Sequence, residues 1–199
     1  MHRYLLLLLA LNAGAQTHKL GLTLGRIAES TRTATAGDVK LDSGIALQAN
    51  YGCAFLQHGR FALSAELHFL ANGQREIRSA NALATRDVAS LFVTPGLRVA
   101  FMPRGRFVPY VAGGGGYALY EQSVQRLDGG SNQAPRFTHR GAVMFGGGVD
   151  VPVWRWLGVR GEVRDFYTGN PSFNSVLRSS GQHNVVMSGG FVLLWGNRN

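Results

Sequence analysis

The 199-residue sequence contains a single cysteine, Cys53, so an internal disulfide is excluded, and with it a small exported domain stapled by bridges. Lysine is nearly absent: Lys19 and Lys40 stand alone, and arginine carries the rest of the basic charge. Beyond residue 15 no apolar run approaches the ~20 residues that a membrane-crossing helix requires. Helical spacing is missing from every long segment, which excludes a helical bundle and a basic recognition helix alike. The histidines are scattered without the close pairs of zinc motifs, so no metal site is expected. The glycine run GGGGYA (113–118) opens no helix and no Gly-Lys-Ser/Thr is present, so neither a phosphate loop nor any cofactor is expected.

What is present begins with MHRYLLLLLALNAGAQ. Arg3, an apolar run from Leu5 to Leu11 and the small-residue pattern Ala13-Gly14-Ala15 read as a secretory signal peptide over residues 1–15. Cleavage after Ala15 leaves a single domain over residues 16–199, with no cysteine placed to anchor a lipid. The formal charge of +9 fits an exported protein that meets anionic headgroups better than one that meets nucleic acid, because planar guanidinium binds phosphate through paired hydrogen bonds.

Period-two alternation recurs in eight runs, near 18–28, 43–55, 60–70, 89–102, 106–119, 138–151, 156–167 and 183–195. Their lengths suit tilted strands crossing a bilayer, which need roughly 9–11 residues. Connections alternate strictly. LQHG (56–59), PRG (103–105) and PVWR (152–155) are tight, whereas 29–42, 71–88, 120–137 and 168–182 are long and polar. An up-and-down barrel places all such short turns at one end and all long loops at the other. Pro95 falls inside the fourth run and predicts a bulge there, because proline cannot donate to the ladder.

The faces sort. In the third run Phe61, Leu63, Ala65, Leu67 and Phe69 oppose Ala62, Ser64, Glu66 and His68. In the sixth, Val143, Phe145 and Val149 oppose Arg140, Gly146, Gly148 and Asp150; runs five and eight sort less cleanly. Apolar faces are assigned to lipid and polar faces to a narrow lumen. There Glu66, His68, Arg98, Arg160, Glu162 and Arg164 form the expected polar constellation, a Glu–Arg network between neighbouring strands, since an unpaired buried charge is expensive. Ser64, Glu66 and His68 are no catalytic triad, because Ser64 and His68 would stand about 13 Å apart on one strand face. Aromatic belts at the two membrane boundaries are assigned to Phe55, Phe61, Phe101, Phe107, Trp154, Trp156 and Trp195 at the short-turn end. Phe69, Tyr117, Tyr120, Phe137 and Tyr167 make the belt at the other end.

Two motifs carry a family resemblance. PYVAGGGGYA (109–118) and GVRGEVRDFY (158–167), with its inward Glu-x-Arg, resemble strands of the small eight-stranded outer-membrane barrels, the family of the transmembrane domain of outer-membrane protein A. Such barrels commonly finish on a terminal aromatic, whereas here Trp195 is followed by GNRN. The resemblance implies an all-β, eight-stranded antiparallel up-and-down transmembrane barrel in a bacterial outer membrane, inserted by the outer-membrane assembly machinery as a monomer. The expected function is non-enzymatic: a structural or surface-interaction protein that contacts lipid and lipopolysaccharide. Arg32, Arg75, Arg78, Arg86, Arg126, Arg136 and Arg178 are the loop candidates for anionic ligands. The alternatives are a lipid A deacylase-like hydrolase, for which His139 lies on an outward row without an evident serine partner, and a small pore.

Overall fold

In a computed structural model the chain is described over residues 17–29, 39–169 and 181–196. The signal segment, Arg32 and Arg178 lie outside the described residues. Nine strands are present: β1 (Thr17–Glu29), β2 (Val39–Leu41), β3 (Gly44–His58), β4 (Phe61–Ser79), β5 (Asp87–Phe101), β6 (Val108–Gln122), β7 (Phe137–Pro152), β8 (Leu157–Thr168) and β9 (Gln182–Gly196). All eight expected runs are strands. Each long strand pairs antiparallel with its two neighbours, and β1 closes on β9 from Thr17↔Gly196 to Glu29↔Asn184. Apart from β2, which pairs only with β4, the ring runs β1-β3-β4-β5-β6-β7-β8-β9 and leaves no edge, as a sheet in lipid requires.

The sorting is inside-out. Leu22, Leu24, Leu47, Leu97, Phe145, Val163, Met187 and Phe191 are exposed, while Glu66, Arg98, Asp150, Arg160, Glu162 and Arg164 are buried. On β8 the alternation is complete from Gly158 to Thr168, with Arg160, Glu162, Arg164 and Phe166 inside and Val159 and Val163 outside. Charged groups could not occupy the outer face near mid-bilayer without a cost of roughly 2–4 kcal/mol each for arginine.

Four expectations are corrected. Pro95 produces no bulge: β4 and β6 keep one register on either side of it. The irregularities fall at Ala54/Leu56 and Asn72/Arg75 instead. The segment 71–79, read as loop, continues β4, and its last residues pair with β2. The second irregularity also turns Arg75 inward. Plain alternation from Ala71 would point it outward with Gly73, but the extra residue resets the parity and the side chain is buried.

Tyr120 is the fourth. It is 0% exposed and belongs to the interior rather than the belt, sharing a hydrogen bond of 2.9 Å with Thr168 Oγ1 and meeting Phe92 edge-on. Tyr117 and Tyr120 are three residues apart on an unbroken strand, so they must face opposite ways. Tyr117 is the outward one. Of the other belt residues, Phe55, Phe61, Phe69, Phe107, Phe137, Trp154, Trp156 and Trp195 are exposed, and Phe101 and Tyr167 half-buried. Near the short-turn end Trp195 and Tyr51 pack with His18, and Trp154 stacks on Trp156.

Candidate functional site: an ionic plug and a folded loop pad

The inward residues near the middle of the barrel meet in one connected cluster. Arg164 on β8 donates from Nη1 to Glu66 Oε1 at 2.7 Å. The two strands lie four steps apart in the ring, so this pair crosses the lumen. Arg164 Nε also donates to Glu162 Oε2 at 2.9 Å. Glu162 further accepts from Tyr110 at 2.7 Å and Thr23 at 3.1 Å. Towards the short turns Asp150 collects Arg160 Nε at 2.7 Å, Arg98 Nη2 at 2.5 Å and Lys19 Nζ at 3.2 Å. Arg160 reaches across to Asn50 Oδ1, and Arg98 lies over the Tyr110 ring at 3.5 Å from its centroid.

All six residues of the expected lumen constellation are therefore buried in the barrel, and all touch the cluster. His68 sits at its upper border, with Nε2 bonded to Gln48 Oε1 at 2.9 Å and Nδ1 4.0 Å from Glu66. The expected contacts between neighbouring strands are present, Arg98 with Glu66 at 3.7 Å and Arg160 with Asp150, and to them are added contacts that span the interior. Small inward residues make that reach possible: a Cβ on Gly21 would stand 2.6 Å from both Arg160 Nη1 and Asn50 Oδ1. Lys19, Tyr110 and Asp150 join the cluster from outside the expected constellation. Thr23 joins it from the polar row of the first run, where Gly21 and Gly25 alternate with it against Leu20, Leu22 and Leu24. Parity from Gly21 and Thr23 marks Lys19 as inward, and parity from Val108 does the same for Tyr110.

Above the ionic cluster, towards the long loops, the lumen is mixed: buried Asn72, Ser90, Thr168, Gln182 and Asn184 share it with apolar side chains. Ile27, Leu70, Phe92, Met144, Phe166 and Val186 form one buried group that continues to Leu41, Ile77 and Ala84 beneath the loops. The expected polar lumen therefore also holds, in this half, a packed apolar group beside its polar side chains. Phe166 lies against both His68 and Phe92, so the two layers are joined.

At the long-loop end, residues 80–86 and 123–132 fold onto each other. Arg86 N donates to Gln125 O at 3.0 Å, Leu127 N to Ala84 O at 3.0 Å, and Thr85 bridges to Arg126. Asp128 closes a turn, accepting from Gly130 N at 2.8 Å. That backbone bond, then the neighbouring Arg126, hold its carboxyl below the ordinary range. Around this pad Arg78 pairs with Asp42 at 2.8 Å, Arg136 with Glu121 at 2.5 Å, and Arg86 bonds Gln125 at 3.2 Å.

On the outer surface His139 bonds Tyr117, and His183 Nδ1 lies 2.6 Å from Asp165 Oδ2 with Tyr167 against its ring. Asp165, between the outward Val163 and Tyr167 on β8, thus has a partner. Among the described residues no group of three or more metal-ligating side chains is assembled.

No family model and no curated protein matches the chain. Solved structures do. Neisserial surface protein A aligns at TM-score 0.56 and 12% identity, covering 89% of this chain and 96% of that one. The outer membrane protein OprG from Pseudomonas aeruginosa aligns at TM-score 0.52 and 15% identity, covering 93% and 97%. The chain shares over its full described length the fold of small eight-stranded outer-membrane β-barrels.

Proposed function

We propose that this chain is a closed, non-enzymatic barrel of a bacterial outer membrane that presents a rigid basic loop pad to the cell exterior. The observation that carries this reading is the crossing of the lumen by Arg164 and Glu66, roofed by the apolar layer of Phe92 and Phe166. An eight-stranded barrel has an interior that side chains nearly fill, and here two layers occupy it. A closed lumen leaves the two ends as the places for binding. At the loop end Arg78, Arg86, Arg126 and Arg136 surround a pad held by its own backbone bonds, so their guanidinium groups are presented in a fixed array rather than on loose loops.

Lipopolysaccharide is the partner, its phosphates received by this array, and the barrel is inserted as a monomer by the outer-membrane assembly machinery. Two measurements test the reading. In planar bilayers the wild-type barrel is expected to give no discrete conductance steps; regular steps would overturn the closed lumen. Lipopolysaccharide association is expected to weaken as salt rises and on Arg86→Ser with Arg136→Ser. An association indifferent to both would remove the partner.

A lipid-modifying hydrolase is the second reading, favoured by one observation. The Asp165–His183 pair at the outer rim has the form of a base held by a carboxylate. Lipid A whose acyl chains are shortened in mass after incubation with the barrel, and unchanged with His183→Ala, would establish it.

A further inference from the structure

The half of the lumen on the short-turn side of the ionic cluster is hollow. A cavity of about 300 Å3 opens there, bordered by Lys19, Ser64, Arg98 and Asp150 at its inner end. Its walls include Ala54, Ala62, Ala100, Val108, Val192 and Leu194. Thr17, Gln57 and Arg104 also line it, so the site is mainly apolar along its wall and ionic at its floor.

Charge at that floor is unbalanced. Three carboxylates, Glu66, Asp150 and Glu162, meet the guanidinium groups of Arg98, Arg160 and Arg164 and, in addition, the ammonium of Lys19. The surplus cation lies on the cavity side, because Lys19 and Arg98 border the cavity whereas Arg164 does not. Asp150, the carboxylate nearest to them, is saturated: Oδ1 accepts from Arg160 Nε, and Oδ2 from Lys19, Arg98 and Arg160 Nη2. Arg98 is 2% exposed, and its Nε has no acceptor. A surplus charge withdrawn from bulk water is costly, and an anion brought to the floor relieves it. One unit of surplus matches one unit of ligand charge. The mainly apolar walls disfavour a wholly polar ion such as phosphate, which would lose more hydration than the polar lining residues replace.

We propose that this cavity is a binding site for a small monoanion with an apolar body, a short alkyl or aryl carboxylate. Its carboxylate is received by Lys19 and Arg98, and its body lies against Val108, Val192 and Leu194. The ionic cluster behind the floor makes the site blind, so the ligand enters and leaves at the short-turn end and does not traverse the barrel. The loop pad is not involved.

The test uses the full barrel in nanodiscs of zwitterionic phospholipid, with its methyl groups observed by NMR. Benzoate is expected to produce saturable shifts at Val108, Val192 and Leu194, at least tenfold tighter than benzyl alcohol, its neutral counterpart. Inorganic phosphate is expected to shift none of them. Lys19→Met should weaken benzoate at least tenfold, and Ala100→Phe, which fills the cavity, should abolish the shifts. Equal affinities for benzoate and benzyl alcohol would overturn the proposal, and that comparison needs only the wild-type protein. Shifts as large at the outward methyls of Val111 and Val159 would report partition into lipid and overturn it as well.

Discussion

Replacing Glu162 by leucine removes the acceptor on which the centre of the barrel converges. Tyr110 at 2.7 Å, Arg164 Nε at 2.9 Å and Thr23 at 3.1 Å all donate to this carboxylate. Each donor is buried, so none recovers a bond to bulk water when the carboxylate is gone. Stranding a buried donor costs about 1–3 kcal/mol, and breaking a buried ion pair by deleting one partner about 3–5 kcal/mol. The contributions overlap, because Arg164 keeps Glu66 at 2.7 Å. The expected loss is therefore about 3–5 kcal/mol rather than the sum. The change also leaves Lys19, Arg98, Arg160 and Arg164 against only Glu66 and Asp150, which adds to the destabilisation.

Three companions separate causes. Glu162→Gln keeps shape and one acceptor oxygen and should lose about half as much, the charge-assisted share of the bonds. Val163→Ala, one residue along and facing lipid, should change stability by less than ~1 kcal/mol. The double variant Glu162→Leu with Arg164→Leu removes both members of the pair and should recover part of the single-variant loss. Equilibrium urea unfolding in bilayers, followed by tryptophan fluorescence and by heat-modifiable gel migration, measures all four. A Glu162→Leu barrel within ~1 kcal/mol of wild type would refute the reasoning, since it would mean that the donors find other partners in the lumen.

Further expectations rest on single contacts. Tyr120→Phe removes the bond to Thr168 and should cost about 1 kcal/mol, whereas Tyr120→Ala opens the apolar layer and should cost about 3–5 kcal/mol in the same unfolding assay. Gly116→Ala sets a Cβ 2.0 Å from the Val93 carbonyl and should lose about 1–3 kcal/mol or fail to insert, while Gly141→Ala, with open space around it, should be tolerated. The Asp128 carboxyl, followed by NMR, should titrate below the 3.8 of a free aspartate. Because its folded value is depressed, the turn it closes is stabilised above the unfolded value, and that contribution is lost as pH falls through the folded one. Gly130 amide protection should decline only in that acid range; a midpoint above 3.8 would contradict the Gly130 bond.

Strand number, the end-to-end asymmetry and the inward ionic residues were legible because a lipid-facing barrel writes its two environments at strict period two. Val159 and Val163 against Arg160, Glu162 and Arg164 can be sorted by parity alone. Parity fails wherever a residue is inserted, and insertions leave little trace in sequence. The extra residue between Asn72 and Arg75 turned an apparent surface arginine into a buried one. Pro95, the conspicuous candidate for such an irregularity, leaves the register unchanged. Depth along the barrel is a second quantity that alternation does not encode. Leu70, Phe92 and Phe166 are inward and apolar, which contradicts a polar lumen unless their height above the ionic cluster is known. Contacts such as Arg164–Glu66 depend on which strands face each other across the ring, and that follows only once closure of β1 on β9 is fixed.

The lipid-facing rows do little to choose among registers, since one leucine or valine exchanged for another against acyl chains changes the energy little. Charges inside do choose. A one-residue slip of β8 against its neighbours would reverse its faces and carry Arg160, Glu162 and Arg164 onto the outer surface. For each arginine near mid-bilayer that costs roughly 2–4 kcal/mol, on top of the contacts abandoned in the lumen. The observed register holds without interruption from Pro152↔Gly158 to Ala142↔Thr168 on one side, and from Leu157↔Leu193 to Thr168↔Gln182 on the other. A buried ionic cluster often adds less stability than an apolar one of equal volume. In this barrel its net worth lies in the alternatives it penalises: the same residues that close the lumen make every odd slip of their strand expensive in lipid.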